Sequence, residues 1–314
     1  MPELPEVETL AQDLRRLLAG TPSRFSGAGT PSRFSGAGTP SRFSGTGALV
    51  SSVEVGWARS VAMPSAEALA EGLCGRRILD VSRRGKFLQL SLSGPTYLLV
   101  HLRMSGHLAV LPQCAPPDPY ERVALCLADG RRLVFSDPRK FGRLYWLDNP
   151  DLVLGKLGPD PLADDLTLEA FAGLLHGRRG ALKPLLLNQA ILAGLGNIYT
   201  DEALHRAHLH PLRKATTLTG PEIARLYSAV RDVLRQAIAN RGTTLQDERF
   251  RDAEGRPGRN RENLQVYRRK GEPCLCCGTP VERTVVGGRG THYCPSCQKL
   301  DGAQCTVVGG KVNA

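Results

Sequence analysis

No stretch of eighteen apolar residues occurs in this chain, so nothing in it reads as a transmembrane helix. No basic amphipathic helix stands out, which removes the usual signature of a membrane-surface segment. The N-terminus has no long apolar run and is acidic at Glu3, Glu6 and Glu8, so it does not read as a signal peptide and export is not expected. The cysteines lack the even number of a disulfide framework: there are nine, and six of them are crowded from Cys274 to Cys305. That crowding predicts a metal site in a reducing compartment. Acidic residues are also in deficit. With 41 Lys and Arg against 30 Asp and Glu, the net charge is +11 and the pI about 9.4, which predicts a polyanionic partner, nucleic acid being the commonest. A hydrophobic content of 41% over 314 residues suits a soluble globular chain of about two domains.

The apolar residues Leu4, Val7, Leu10, Leu14, Leu17 and Leu18 have helical spacing, and Gly20 is the expected C-cap. Residues 21–29, 30–38 and 39–47 then read TPSRFSGAG, TPSRFSGAG and TPSRFSGTG. Their composition predicts a flexible surface insertion, tolerable because loop-closure entropy grows slowly with length. Arg24, Arg33 and Arg42, each followed by phenylalanine, also suit an arm that touches DNA. We favour a duplication carried neutrally. From Leu49 to Asp148 the period becomes two. Phe87 to Leu92, Tyr97 to Leu102, Val123 to Leu127, Leu133 to Phe135 and Leu144 to Leu147 read as strands, with a hairpin turn at Asp129-Gly130 and a short helix near 65–73. Such strands predict a β-sandwich or barrel. After a Gly/Pro-rich linker at 149–161, helices are expected near 167–176, 181–193, 198–207 and 220–240. From Gly242 the chain is basic and loop-like, and it ends in the cysteine-rich module.

Two C-x2-C pairs, Cys274/Cys277 and Cys294/Cys297, stand sixteen residues apart. Four thiolates at this spacing complete a closed tetrahedral site, which predicts one structural zinc and no catalytic metal. Cys276 competes for a ligand position, but Gly278 after Cys277 favours the latter. Thr284 to Tyr293 suits a β-hairpin with Arg289 near its tip, either as a guanidinium for a phosphate or base or as a solvated loop charge. Gly194-Leu195-Gly196-Asn197 joins two apolar helical runs. Asn197 reads as the N-cap of the second, either as an anion site or as part of a ligand-free helical hairpin. Lys86 opens a strand, where a solvated lysine is the ordinary reading. Asp137 to Gly142 is a turn presenting Arg139, Lys140 and Phe141, and Phe141 either wedges into a base stack or caps the core. Met104 has the same ambiguity. Pro2 would become a free secondary amine on loss of Met1, nucleophilic near neutral pH, with Glu3 beside it as proton donor. The plainer reading makes Pro2 a translation start and Pro5 a helix opener.

Together these residues resemble the bacterial formamidopyrimidine-DNA glycosylase family. The matching pieces are PELPEVET, RRGKFLQL, HLRMSGHL, SDPRKFG, LGPDPL, GLGNIY, LQVYRRKGEPC and GTHYCPSCQ, in the family's order and over almost all of the chain except 21–47. The resemblance implies an α+β fold. Residues 1–148 would be an N-terminal catalytic β-sandwich, 162–263 a helix–two-turn–helix domain with a lesion loop, 264–300 a zinc-finger β-hairpin and 301–314 a tail. It implies a monomeric, cytoplasmic repair enzyme that binds double-stranded DNA in a cleft, flips out oxidised purines such as 8-oxoguanine, and acts as glycosylase and AP lyase without a catalytic cofactor. Pro2 is then the nucleophile, Glu3 the acid, Lys86 an assisting phosphate contact, and Arg289 a proton donor and phosphate clamp. Asn197 and Lys183 would contact DNA. Met104, Arg139 and Phe141 would fill the gap left by the flipped base, with Arg139 on the orphaned cytosine. That trio and Leu4 favour the purine branch over the related endonuclease VIII, which typically begins PEGPE. A non-catalytic damaged-DNA binder is the other alternative. The 255–263 loop, GRPGRNREN, departs from the family's usual aromatic pair, and its charge suits extra phosphate contacts.

Overall fold

The apolar spacing that begins at Leu4 becomes helix α1, Leu4–Leu18. Leu4, Val7, Leu10, Leu14 and Leu18 on it are buried. Its start is fixed by a reciprocal capping box between Glu3 and Glu6, with proline in the first turn, and Arg15 and Arg16 complement the dipole at its end. The computed structural model describes residues 1–19, 47–245 and 250–300. Gly20, the repeats up to residue 46 and the tail 301–314 lie outside the described residues. The chain divides into two compact units, Met1–Lys156 with Arg241–Arg259, and Leu157–Asn240 with the segment from Asn260 onward.

The first unit is built on nine strands: β1 Ala48–Val55, β2 Val61–Met63, β3 Arg77–Arg84, β4 Phe87–Leu92, β5 Thr96–His101, β6 His107–Pro112, β7 Glu121–Leu127, β8 Arg131–Ser136 and β9 Arg143–Leu147. Their order is β2-β9-β5-β4-β3-β1-β7-β8-β6. All neighbours are antiparallel except β2 and β9. β1 is the seam. Ala48 and Leu49 pair with β3, whereas Val50 to Val55 pair with β7 after a register shift between Val50 and Ser52. Leu88, Leu90 and Val100 from one side of the seam share a single core with Leu125, Leu133 and Phe135 from the other, which makes the sheet a sandwich. α1 packs on this sheet through the same core, and Arg15 to Asp80 and Arg83 to Glu8, at 2.7 and 2.8 Å, pin it to β3. Removing Leu10, fully buried here, would cost about 2–5 kcal/mol. Ser65 caps the short helix α2, Ala66–Leu73, as expected near 65–73. A one-turn helix, α3, Asp151–Leu154, follows.

The second unit carries α4 Leu168–Leu175, α5 Leu182–Leu187, α6 Asn197–Arg206 and α7 Gly220–Ala239, then the hairpin β10 Glu282–Val286 and β11 Arg289–Tyr293. Thr167 caps α4, and a Thr219/Glu222 capping box opens α7. α5 corrects the helix expected over 181–193. Asn188 accepts the Ala190 N–H, and Gln189 bonds Leu187 O, Leu195 O and Gly194 N at 2.8–2.9 Å. Side chains thus take up backbone groups that a continuing helix would pair, and the chain turns. Among the described residues, no helix is long and apolar enough to cross a membrane.

Candidate active site and metal centre

At the head of α1, Met1 is 51% exposed and Glu3 and Glu6 are each 2% exposed, with Pro2 partly buried between them. The Glu3 N–H donates to Glu6 Oε2 at 2.8 Å, and the Glu3 carboxylate accepts from the Glu6 N–H. The other Glu6 oxygen accepts from Thr243 N–H at 2.7 Å. Gly242 makes that approach possible: its φ is +80°, and a Cβ there would stand 2.9 Å from the Phe250 ring and 3.1 Å from Glu6 Oε1. The segment after Gly242 is anchored to α1 by charge as well. Arg241 bridges Asp13 and Asp252 at 2.6 and 2.5 Å. Burial alone would raise the Asp252 pKa, but donors from the Arg256 backbone, Arg241, the Arg256 side chain and Glu254 outweigh it and bring it down to about 2.

Lys86 sits on the two-residue turn between β3 and β4, after Gly85 at φ +57°. It is only 6% exposed, which removes the solvated strand-end reading. Across the ladder Phe87 faces His101, their rings edge-to-face at 4.5 Å. Burial, with Arg103 and Lys86 adding like charge, lowers the His101 pKa to about 3, so the ring is neutral at physiological pH. Its Nδ1 accepts the Arg103 N–H at 3.0 Å, which leaves Nε2 as the protonated nitrogen.

Met104 and Phe141 are 40% and 46% exposed, so neither is core, and the Arg139 guanidinium lies 4.9 Å from the Phe141 ring centroid. One buried carboxylate organises this trio. Asp137, with no exposed surface, accepts from the backbone N–H groups of Arg139, Phe141 and Gly142 at 3.1, 2.8 and 2.7 Å. It also accepts from Ser105 Oγ at 2.5 Å, which joins the Met104 loop to the Arg139–Phe141 loop.

In the second unit the Sγ atoms of Cys274, Cys277, Cys294 and Cys297 all lie within 4.8 Å of one another. Zinc–sulfur bonds of about 2.3 Å in a tetrahedron put sulfurs about 3.8 Å apart, so this set fits the metal. The four thiolates hold one structural zinc. Gly278, at φ +76°, closes the first knuckle, as expected when Cys277 rather than Cys276 is the ligand. Gln298 secures the second: its Oε1 accepts Cys294 N–H and its Nε2 donates to Leu209 O, both at 2.9 Å. The hairpin turns through Gly287 and Gly288, both at positive φ, and Arg289 stands exposed at the tip opposite Val286.

Lys183 and Asn197 stand in settings that the sequence did not show. Lys183 is fully buried, with Nζ 2.6 Å from Asp201 Oδ1 and 3.1 Å from Gly290 O. So enclosed, Lys183 ties α5 to the hairpin. Asn197 is the first residue of α6, not its cap: Gly196 takes the cap position, and the Asn197 Nδ2 donates to Gly290 O at 2.9 Å. Lys183 and Asn197 therefore converge on the carbonyl next to Arg289. Asp201 completes the brace by accepting His292 N–H at 2.9 Å.

Pro2, Glu3, Lys86, Met104, Arg139 and Phe141 thus fall in the first unit, and Lys183, Asn197, Arg289 and the four cysteines in the second. Sequence reasoning missed Glu6, His101, Asp137, Ser105 and Asp201. Glu6, three residues after Glu3, was legible as a capping box, and Asp137 as the side-chain acceptor of a turn. Asp201 left no signal, because its partners are distant in sequence.

Family models match along the chain in the same order: the formamidopyrimidine-DNA glycosylase N-terminal domain over 38–144, the formamidopyrimidine-DNA glycosylase H2TH domain over 157–249, and the zinc finger found in FPG and IleRS over 271–300. A formamidopyrimidine-DNA glycosylase of Herpetosiphon aurantiacus is 43% identical over 300 residues, covering 95% of this chain and all of that one. The crystal structure of the MutM (Fpg) protein from Thermus thermophilus matches with a TM-score of 0.78 and 42% identity, over 95% of this chain and 98% of that one. A Lactococcus lactis Fpg in complex with abasic-site DNA matches at 0.80 and 31%, over 95% and 99%. A Lactococcus lactis Fpg mutant with Fapy-dG containing DNA matches at 0.81 and 31%, over 95% and 100%. With the paired loops and the four-cysteine hairpin in the matched regions, and relatives more than 40% identical over 95% of its length, the chain belongs to the formamidopyrimidine-DNA glycosylase family.

Proposed function

We propose that this chain is a bifunctional glycosylase and AP lyase that removes oxidised purines, formamidopyrimidines and 8-oxoguanine, from duplex DNA in the bacterial cytoplasm, acting as a monomer. The observation that carries the reading is the head of α1, where a buried glutamate adjoins a proline that becomes a secondary amine once Met1 is removed. The Lactococcus complexes with abasic and Fapy-dG DNA support the substrate class.

The Pro2 nitrogen attacks C1′ of the flipped nucleotide, and the N-glycosidic bond breaks with its electron pair leaving on the base, which is then protonated. Glu3 gives a proton to the ring oxygen O4′, so the ring opens to an iminium between Pro2 and C1′. Loss of a C2′ proton expels the 3′ phosphate, and a second elimination expels the 5′ phosphate. Hydrolysis of the remaining iminium returns the free amine. Lys86, Arg289 and Asn197 at the head of α6 supply phosphate contacts, the last aided by the anion preference of a helix N-terminus. Met104, Arg139 and Phe141 fill the emptied stack, with Arg139 on the orphaned cytosine. The zinc supplies folding energy to the finger that presents Arg289 and takes no part in the bond changes.

Borohydride trapping on an 8-oxoguanine duplex tests the reading. A covalent adduct is expected with wild type and none with chains that retain Met1, in which the Pro2 nitrogen is tied up in an amide. Tight binding without any wild-type adduct would leave only a damaged-DNA binder, and faster turnover of thymine glycol than of 8-oxoguanine would move the enzyme to the pyrimidine branch.

A further inference from the structure

Asn197, Asp201 and His205 recur every fourth residue along α6 and so form one stripe on its surface. Each makes a polar contact with the zinc module. Asn197 donates to Gly290 O at 2.9 Å, Asp201 accepts from His292 N–H at 2.9 Å, and His205 Nε2 lies 3.5 Å from Cys274 Sγ. The first two contacts reach the hairpin. The third reaches a metal ligand.

His205 is 4% exposed, and Cys274 is 3% exposed. A thiolate bound to zinc has no proton to give, so at this contact the ring nitrogen is the donor. Four thiolates around one divalent cation leave a net charge of −2, and a buried charge is costly unless hydrogen bonds compensate it. The knuckles supply some such bonds themselves, among them Cys297 N–H to Cys294 Sγ at 3.4 Å. To Cys274, His205 brings a donor from 69 residues away. A closed four-sulfur site has no position for a fifth ligand, so the imidazole acts on the sulfur and not on the metal.

We propose that His205 is an outer-sphere donor to the zinc site, whose Nε2–H···Sγ bond to Cys274 slows zinc loss and ties the metal to α6. Outer-shell partners of this kind change metal affinity by about 10–100-fold. The donor withdraws electron density from the Cys274 sulfur, leaving Cys277, the least buried of the four, as the ligand that electrophiles reach first.

The test compares wild type, His205→Phe, which keeps a flat ring without the donor, and His205→Gln, which keeps an N–H. Zinc content is measured first; a wild-type chain purified without zinc would remove the metal site and this proposal with it. Release of zinc to the chelating dye 4-(2-pyridylazo)resorcinol should be about 10–100-fold faster in the Phe variant and near wild type in the Gln variant. The thiolate-to-metal charge-transfer band of the cobalt-substituted protein should shift in Phe and stay in Gln, which loss of packing alone would not do. Equal release from wild type and Phe, or the same release and spectrum from Gln and Phe, overturns the proposal. Should the Phe chain not fold, His205→Ala takes its place in the same comparison.

Discussion

Ser105 Oγ donates to the buried Asp137 carboxylate at 2.5 Å, so the loops bearing Met104 and Arg139 are one mechanical piece. Asp137→Ala would strand three backbone N–H groups, at about 1–3 kcal/mol for each unsatisfied group. We expect denaturant titration to show a loss of about 3 kcal/mol or more, and Ser105→Ala to cost about 1 kcal/mol. Ser105→Ala should also weaken the preference for cytosine over adenine opposite the lesion, since Arg139 loses its fixed distance from Met104. An unchanged opposite-base ratio in that variant would show that the link is structural only.

Glu3 both caps α1 and adjoins Pro2. Glu3→Gln keeps an amide oxygen for the cap, so the melting temperature should barely move. Excision of 8-oxoguanine should fall by about 10²–10⁴, the range for loss of a positioned acid. Cleavage at a preformed abasic site, where the sugar ring already opens unaided, should fall much less. Equal losses on both substrates would argue against the assignment of the proton to Glu3.

Lys183 and Asp201 form an ion pair with neither side chain exposed. Lys183→Met leaves a buried carboxylate uncompensated, and about 3–5 kcal/mol of stability should be lost. Adding Asp201→Leu should recover part of that loss, not all, because His292 N–H also loses its acceptor. Under conditions where the Lys183→Met variant remains folded, the salt dependence of its DNA binding should match wild type. A slope smaller by about one would make Lys183 a phosphate contact as well.

Asp252 contributes a pH-dependent share of stability whose sign follows from its lowered pKa. Its folded value is about 2, below that of an unfolded carboxylate, so the contribution is complete above about pH 4 and disappears as the pH falls towards 2. Acid titration of the melting temperature should therefore be shallower between pH 4 and 2 in Asp252→Asn. Parallel curves would place the acid sensitivity in other carboxylates.

Much of this was legible because it rests on short-range pattern. α1, β4 and the Asp129-Gly130 turn follow from spacing and turn chemistry alone, and the metal site from two cysteine pairs. β1 and β3 were missed because each carries a register shift: in β3 the buried Ile78 and Val81 stand three apart, which breaks a period of two. The helix over 181–193 was overdrawn because Asn188 and Gln189 act through side chains that an apolar count ignores. The buried setting of Lys183 was hidden for a related reason. The resemblance marks it as a DNA contact, and only the fold reveals the aspartate eighteen residues on.

The seam at β1 has a kinetic consequence. β3, β4 and β5 are joined by tight hairpins, as are β7 and β8, and such local ladders form within microseconds. Joining them through β1 brings Val50 to Leu127 and Ser52 to Cys126, residues far apart in the first unit's sequence. Contacts of that separation slow folding, because the chain loses loop entropy before the core rewards it. Closure of the seam is thus the step expected to limit how fast the sandwich assembles, and a nascent chain cannot complete it until β7 has left the ribosome.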